Sequence, residues 1–314
     1  MLRKLKDSKQ AVNLLVIGIL IVIFSLMSPY YFSLDNFQNI ALQSSIVSIV
    51  ALGAMVVLIG GAVDLSSGSI VALCMVSMVI LIREGLPAAL VIAIVVLIGT
   101  VSSLLNSVVI NYLGINPFLV TLGTMYIFRG LAFLVSGGKT IPLGTSPVRK
   151  VFSGYLGFFP IAFIYVVVAV VIMWFVLSQT SIGRQIYATG SNEIAASLSG
   201  INTKTVRTMA FILAGVLYTL AALIAVSRIG SGTPGYGETI SMEAMASTIL
   251  GGTSFMGGSG TAAGTLIGAI LIVVLMNGLT IVGVNSYIQM VIKGLLIIFA
   301  VFIDLLANKK KLKN

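Results

Sequence analysis

The 314-residue chain contains no histidine, a single cysteine and only eight carboxylates. Without histidine, it lacks the commonest general base and the commonest metal ligand. The carboxylates are scattered, and no two lie three or four residues apart, the spacing that would put a pair on one helical face. The lone Cys74 has no partner for a disulfide. We therefore expect neither catalysis nor a metal site in this chain.

Charged residues make up 8% of the chain and apolar residues 58%, a balance that excludes an ordinary soluble globule. Ten apolar runs approach the length that crosses a ~30 Å hydrocarbon core, and the third and eighth are short and bounded by glycine. The predicted spans are Ala11–Met27, Ile40–Ile59, Gly68–Ile82, Ala88–Ile110, Phe118–Ser136, Ile161–Ser178, Thr208–Ser227, Met242–Met256, Ala262–Val282 and Tyr287–Leu306. We predict an all-α polytopic membrane protein with one transmembrane domain over residues 1–314.

An even number of spans puts both termini on one side, and both tails are rich in lysine and arginine. By the positive-inside rule both termini are expected in the cytosol. Most of the net charge of +10 then comes from Lys and Arg residues on the cytosolic side, as the positive-inside rule predicts, so nucleic acid is not an expected partner.

The two halves of the chain resemble each other faintly. Gly99-Thr100 opens a span that ends at Gly114–Phe118, and Gly264-Thr265 opens one that ends at Gly283–Tyr287. With ten spans these two run in opposite directions, as an inverted five-plus-five repeat requires.

A polar interruption at residues 180–207 concentrates small polar and charged residues between two apolar runs. Asn192 suits a helix N-cap, Glu193 suits the positive end of a helix, and Gly200 suits the position after its end. The two turns between them are too short to cross a membrane. Ile194 and Leu198 would share one face and form a small apolar ridge that needs a partner.

Two glycine-dense breaks, residues 60–69 and 251–260, interrupt the apolar pattern. Irregular backbone at membrane depth is tolerated where protein or a water-filled cavity satisfies it, so the breaks indicate a translocation pathway; tight loops at the membrane surface are the alternative. The pathway candidates are Gly60, Gly61, Asp64, Ser66, Asn106, Gly251, Gly252 and Asn277. Lys293, within the last span, could pair with a carboxylate, bond to carbonyls or snorkel, and we expect a structural role.

The order Glu-x-Ala-Ala-x-x-x-Gly-Ile within the polar interruption resembles the cytoplasmic segment by which permeases of ABC importers dock onto their ATPases. Glu193, Ala195, Ala196 and Gly200 carry the match, and Ile194 stands where the family usually has a first alanine. The resemblance implies that residues 180–207 form a coupling loop. We assign ATPase coupling to Asn192, Glu193, Ala195, Ala196, Leu198 and Gly200.

Four further segments resemble the permeases for ribose and related sugars. They are Gly61–Ser69, Pro117–Gly123, Leu250–Ser254 and Ser286–Met290. This family implies a homodimer in the bacterial cytoplasmic membrane, an ATPase that binds ATP and magnesium, and an extracytoplasmic sugar-binding protein. The expected function is import of a monosaccharide, ribose by default, with no cofactor in this chain. The alternative is an ion-gradient-driven transporter that uses Asp64.

Overall fold

The computed structural model describes residues 9–145 and 147–311, most of which are helical. Its helices are α1 (Lys9–Met27), α2 (Leu34–Ile59), α3 (Ser67–Arg83), α4 (Ala88–Leu113), α5 (Pro117–Ser136), α6 (Pro147–Phe152), α7 (Ile161–Gln179), α8 (Ser181–Ser191), α9 (Glu193–Leu198), α10 (Thr203–Ile229), α11 (Ile240–Leu250), α12 (Ala262–Ile281) and α13 (Ser286–Lys311). In the described ranges, seven helices are long and apolar enough to cross a membrane, and α3, α11 and α13 carry shorter apolar stretches. The chain is therefore an all-α multi-pass membrane protein.

Four two-residue strands lie in the connections. Strand β1 (Ile141–Pro142) pairs antiparallel with β4 (Ser231–Gly232), and β2 (Tyr155–Leu156) pairs with β3 (Phe159–Pro160). The β1–β4 pair joins the connection after α5 to the one after α10. Leu143 extends this contact by donating its N–H to the carbonyl of Gly230 at 2.8 Å.

Helices α2 and α10 form the centre of the bundle. In α2, 89% of the most apolar 18-residue window is buried, against 11% in α1. Helix α2 packs against α10, α11, α12 and α7, while α10 packs against α2, α3 and α4. An apolar helix that keeps its surface exposed, as α1 does, is suited to contact lipid.

Small residues let the helices approach closely. A Cβ on Gly215 of α10 would lie 2.7 Å from the carbonyl oxygen of Gly99 on α4, so only glycine fits at this crossing. In the same way, a Cβ on Gly264 or Gly268 of α12 would overlap backbone oxygens of the α11 segment. Such glycine faces are typical of helix packing inside membranes.

Several predicted span boundaries were wrong; the second span, for example, was predicted to begin at Ile40, but α2 begins at Leu34. The eighth predicted span continues to Met256, but α11 ends at Leu250, because Gly251 and Gly252 turn the chain away. The seventh was predicted to begin at Thr208, but α10 begins at Thr203 with Asn202 as its cap. The last part of the 180–207 segment is therefore helical and continuous with a span.

Candidate functional site

Helix α9 is the short helix that the polar interruption predicts. The side chain of Asn192 accepts a hydrogen bond from the N–H of Ala195 at 3.0 Å, which caps the helix. At the other end Gly200 adopts φ +84°, and the next residue, Ile201, donates its N–H back to Ala196 at 3.1 Å. Glycine is suited to this left-handed position because other residues are strained there.

An ion pair and a hydrogen bond anchor the first turn of α9 to the bundle. The carboxylate of Glu193 accepts from Arg207 at 2.8 Å and from the hydroxyl of Thr203 at 3.3 Å. Arg207 also donates to Asn111 of α4 at 3.2 Å. The Arg207 side chain is 12% exposed and the Glu193 side chain 49%, so the pair is held on the Arg207 side and half open to solvent on the α9 side. Glu193 thus has partners within the chain.

The two faces of α9 differ sharply. Ala196 is buried against the bundle, whereas Ile194 is 74% exposed and Leu198 is 85% exposed. These two side chains form the apolar ridge that their spacing predicts. A ridge this exposed on an otherwise polar segment is suited to docking against another protein.

Helix α8 precedes α9 and was missed by the sequence analysis. Thr180 caps it by accepting from the N–H of Gly183 at 3.2 Å, and Ile186 is fully buried. The cap and the i, i+4 spacing of Ile182 and Ile186 were the signals that could have revealed it. Only Asn192 separates α8 from α9, so a displacement of one helix is passed to the other.

At Gly190, helix α8 contacts the bundle through its backbone. A Cβ on Gly190 would overlap the carbonyl oxygen of Ile59, the last residue of α2, and would lie 2.8 Å from the nitrogen of Gly258. Nearby, the hydroxyl of Tyr187 donates to the carbonyl of Gly260 at 2.8 Å. Burial raises the pKa of Tyr187, so the phenol stays protonated and can donate.

The two glycine-dense breaks meet at this point. Gly258 donates its N–H to Ile59 at 2.9 Å, and a Cβ on Gly257 would lie 3.1 Å from the Cα of Gly61. Gly60 ends α2, where its N–H bonds to Val56. The breaks, α8 and α9 therefore lie together at one end of the bundle.

Asp64, Ser66 and Asn106 are brought together as a buried polar cluster. The Asp64 carboxylate accepts from the N–H of Ser66 at 2.8 Å and from its hydroxyl at 2.6 Å. Asn106 of α4 donates to the same hydroxyl at 2.8 Å. Asp64 is 5% exposed, and Ser66 and Asn106 are fully buried. The cluster precedes α3 and holds the irregular chain before it.

This cluster leaves acceptors without hydrogen bonds among the residues that the structure describes. The Oδ2 of Asp64 and the Oδ1 of Asn106 are both buried and unpaired, as is the hydroxyl of Tyr218 on α10. Tyr218 lies beside Asp64, and the two groups interact. Buried polar atoms without a hydrogen-bond partner are uncommon in folded proteins, and those of Asp64 and Asn106 are among several in the bundle.

The other predicted pathway residues lie elsewhere. Asn277 donates to Asn36 at 2.9 Å, next to the start of α2, whereas Asp64 follows the end of that helix. Asn277 therefore lies beside the first turns of α2, apart from the Asp64 cluster, which is joined to Asn106 of α4. Gly251 packs against Gly264 of α12, and Gly252 adopts φ +97° in the turn after α11.

Sequence reasoning also missed a contact between the N-terminal ends of α3 and α11. The N–H of Gly68 bonds to the hydroxyl of Ser241 at 2.8 Å, and a Cβ on Gly237 would lie 3.1 Å from the carbonyl oxygen of Gly68. Arg129 of α5 holds the connection before α11 by donating to the carbonyls of Pro234 and Tyr236, each at 2.6 Å. No local pattern reveals contacts between segments this far apart in sequence.

Lys293 pairs with Glu243, the first of the three roles considered for it. The Nζ of Lys293 lies 2.5 Å from the Oε1 of Glu243, and the side chains of Lys293 and Glu243 are 27% and 17% exposed. The pair joins α13 to the first turn of α11. A second link between these regions is Asp304 of α13, which accepts from the N–H of Phe255 at 2.9 Å. Both links are structural.

Known proteins match almost the whole chain. The family described as "Branched-chain amino acid transport system / permease component" matches residues 36–301. The ribose import permease protein RbsC of Haemophilus influenzae is 38% identical over 94% of this chain and 92% of its own. The RbsC of Bacillus subtilis is 40% identical over 91% and 89%. The galactose/methyl galactoside import permease protein MglC of Escherichia coli is 37% identical over 94% of each chain. No solved structure matches.

Proposed function

The chain belongs to the family of transport-system permease components, and on that premise we propose that it is the membrane subunit of an ATP-driven monosaccharide importer. It is not itself an enzyme: ATP and magnesium bind to a partner ATPase. A sugar-binding protein outside the membrane delivers the substrate. The relatives named for ribose and for galactose support a monosaccharide as the class of substrate, and we take ribose as the default.

The exposed ridge of α9 is the observation that carries the ATPase assignment. Ile194 and Leu198 face away from the bundle, while Asn192, Glu193, Ala195, Ala196 and Gly200 shape or anchor the helix. In the proposed mechanism the ATPase docks on this ridge, and its motion reaches the two breaks through α8. Residues 180–207 are the coupling segment of the single transmembrane domain.

A ten-span topology with both termini in the cytosol is supported by contacts between connections. If the seven long helices and the three shorter apolar ones of the described ranges cross the membrane in turn, successive spans run in opposite directions. Gly258 and Ile59 then meet at the cytosolic end, and Leu143 and Gly230 meet at the outer end.

An inverted five-plus-five repeat is supported by which helices pack together. In this repeat α2, α3, α4 and α5 correspond to α10, α11, α12 and α13. Helix α2 packs against α11 and α12, and α10 packs against α3 and α4. The pairs α3–α4 and α3–α5 are likewise matched by α11–α12 and α11–α13. Under this pairing the first break corresponds to residues 230–239, not to the second break.

The proposed pathway consists of the segments that do not form regular helices. On the cytosolic side we assign to it Gly60, Gly61, Asp64, Ser66, Asn106, Gly251 and Gly252, and on the outer side Asn277. The unpaired buried acceptors of Asp64 and Asn106 support this assignment. The permease is proposed to work as a homodimer surrounded by lipid, because several apolar helices expose their surfaces.

Reconstitution tests the function. The permease, its ATPase and the sugar-binding protein are placed in proteoliposomes, and uptake of labelled ribose, galactose and other monosaccharides is measured. We expect uptake that needs hydrolysable ATP and survives collapse of the ion gradients. Uptake without ATP that stops when a gradient is collapsed would instead support the Asp64-coupled transporter, which the similar import permeases do not favour.

A further inference from the structure

A cavity of about 320 Å³ opens at the end of the bundle opposite α9. It lies between α2, α11, α12 and α13, beside the connection of residues 230–239. Its volume falls in the ~300–1,000 Å³ range of small-molecule sites. In the proposed topology this is the outer side of the membrane.

The cavity combines polar groups of several kinds. Gln43, Arg228, Thr239, Glu243, Gln289 and Lys293 line it. The Oε1 of Glu243 accepts from both Lys293 and the hydroxyl of Thr239, the latter at 2.9 Å. In the part of the chain that the structure describes, the side chains of Gln43 and Arg228 have no hydrogen bond to another residue. They are therefore available to a ligand.

The charges in the cavity largely cancel. Lys293 and Glu243 neutralise each other, which leaves Arg228 as the one unpaired charge among the lining residues that the structure describes. The lining also includes apolar side chains, among them Ile46, Val47 and Ile272. Amides, a hydroxyl, an ion pair and one guanidinium beside apolar side chains suit a sugar ring, because its hydroxyls can accept from Gln43 and Arg228 while its carbons contact the apolar groups.

The floor of the cavity lies against the pathway proposed above. Gly237 and Ile240 line the cavity, and both also contact Gly68 at the start of α3. Asp64 and Ser66 immediately precede α3, within four residues of this contact. The buried polar cluster is thus close in sequence to the backbone contact at the floor of the cavity.

We propose that this outer cavity is a binding site for a neutral monosaccharide, formed within one copy of the chain. The site holds the sugar between its release by the binding protein and its passage across the Gly68–Gly237 contact. This inference rests on the proposed sugar import. It adds a site in the permease itself.

Cysteine protection tests the site, because the native Cys74 is fully buried and hidden from reagents. Thr239→Cys places a thiol in the cavity, and Thr140→Cys places one on the exposed connection after α5. Membranes holding the permease and its ATPase, without the binding protein, are treated with an impermeant methanethiosulfonate. We expect the transported sugar, at about three times its dissociation constant, to slow labelling of the cavity thiol about fourfold and leave the control thiol unchanged.

A second pair of variants separates binding from a general change in shape. In the Thr239→Cys background, Gln43→Ala removes a cavity amide and should raise the dissociation constant of the sugar about two- to tenfold, the effect of one hydrogen bond, so the slowing at the same sugar concentration should fall from about fourfold to about 1.3- to 2.5-fold. Gln38→Ala, on the same helix but outside the cavity, should change neither value.

The outcomes are distinct. If reconstituted permease imports a sugar but that sugar does not protect Thr239→Cys, the cavity site is wrong while the proposed function stands. Protection by inorganic phosphate and not by sugar would overturn the neutral-ligand assignment in favour of an anion. If no sugar of the panel is imported, the proposed function fails and this inference fails with it.

Discussion

Replacement of Gly190 by alanine should uncouple the permease without changing the surface of α9. Gly190 lies in α8, where its backbone contacts Ile59 and Gly258 with no side chain between them. The added methyl would overlap the oxygen of Ile59 and lie 2.8 Å from the nitrogen of Gly258, whereas ordinary contacts begin at 3.4 Å. Because these neighbours are backbone atoms, they cannot rotate away. Helix α8 must move by more than half an ångström.

Two opposing terms set the size of the effect. Overpacking costs ~1–3 kcal/mol, and alanine in place of glycine inside a helix contributes ~0.5–1 kcal/mol of stability. The cost of overpacking is larger than the gain from alanine, so Gly190→Ala should lower the free energy of unfolding by about 1–2 kcal/mol. A shift of ~1.4 kcal/mol in the docking of α8 against the breaks corresponds to a tenfold change in the population of the coupled arrangement. We therefore expect uptake to fall about tenfold.

The assay compares this variant with Gly123→Ala. Gly123 also lies within a helix, α5, but a Cβ there has nothing within 4 Å. Thermal denaturation of the purified permease and ATP-dependent uptake in proteoliposomes are measured for both. The control should be unchanged or slightly more stable. Uptake and stability of Gly190→Ala equal to those of the control would refute the close contact between α8 and the two breaks.

Three further predictions concern the buried polar cluster around Asp64, the Lys293–Glu243 ion pair and the apolar ridge of α9. Asp64→Asn keeps an oxygen for Ser66 and should leave uptake near wild type with or without a proton gradient, whereas Asp64→Ala should cost ~1–3 kcal/mol of stability through two lost hydrogen bonds; loss of gradient-dependent uptake in the asparagine variant would contradict this. Lys293→Met should destabilise by ~1–3 kcal/mol in thermal denaturation because it leaves Glu243 unpaired, and adding Glu243→Gln should restore much of the loss; a double variant weaker than the single one would contradict the pairing. Ile194→Ser should reduce copurification of the ATPase at unchanged thermal stability, since the side chain is 74% exposed; undiminished copurification would argue against docking on the ridge.

The features that the sequence predicted well depend on neighbouring residues. Helix α9 was predicted because Asn192 and Gly200 act on the backbone within a few residues of themselves. The all-α multi-pass class followed from the length of the apolar runs in the same way. Helix α8 was missed because most of its residues are polar or small, so the Thr180 cap and the buried Ile186 gave only a weak helical signal.

The features that sequence could not reveal depend on how distant segments pack. Asn106 and Asn277 looked alike as amides inside apolar spans, yet one joins the Asp64 cluster and the other lies near the far end of α2. Their depths follow from which helices pack together, and no periodicity of the chain encodes that. For Lys293 the sequence offered three roles, and the choice among them depended on Glu243, fifty positions away.

The glycines of the two breaks show how local and distant information combine. Their density marked both segments as irregular backbone, but the same residues also let Gly61, Gly190 and Gly257 come together as bare backbone. Side chains between two elements can change rotamer and absorb a small displacement, whereas backbone in direct contact cannot. A movement of α9 that carries α8 with it must therefore displace both breaks together. Because Gly61, Gly190 and Gly257 meet as backbone at this junction, a displacement of the six-residue helix α9 is expected to move the segments proposed to line the pathway.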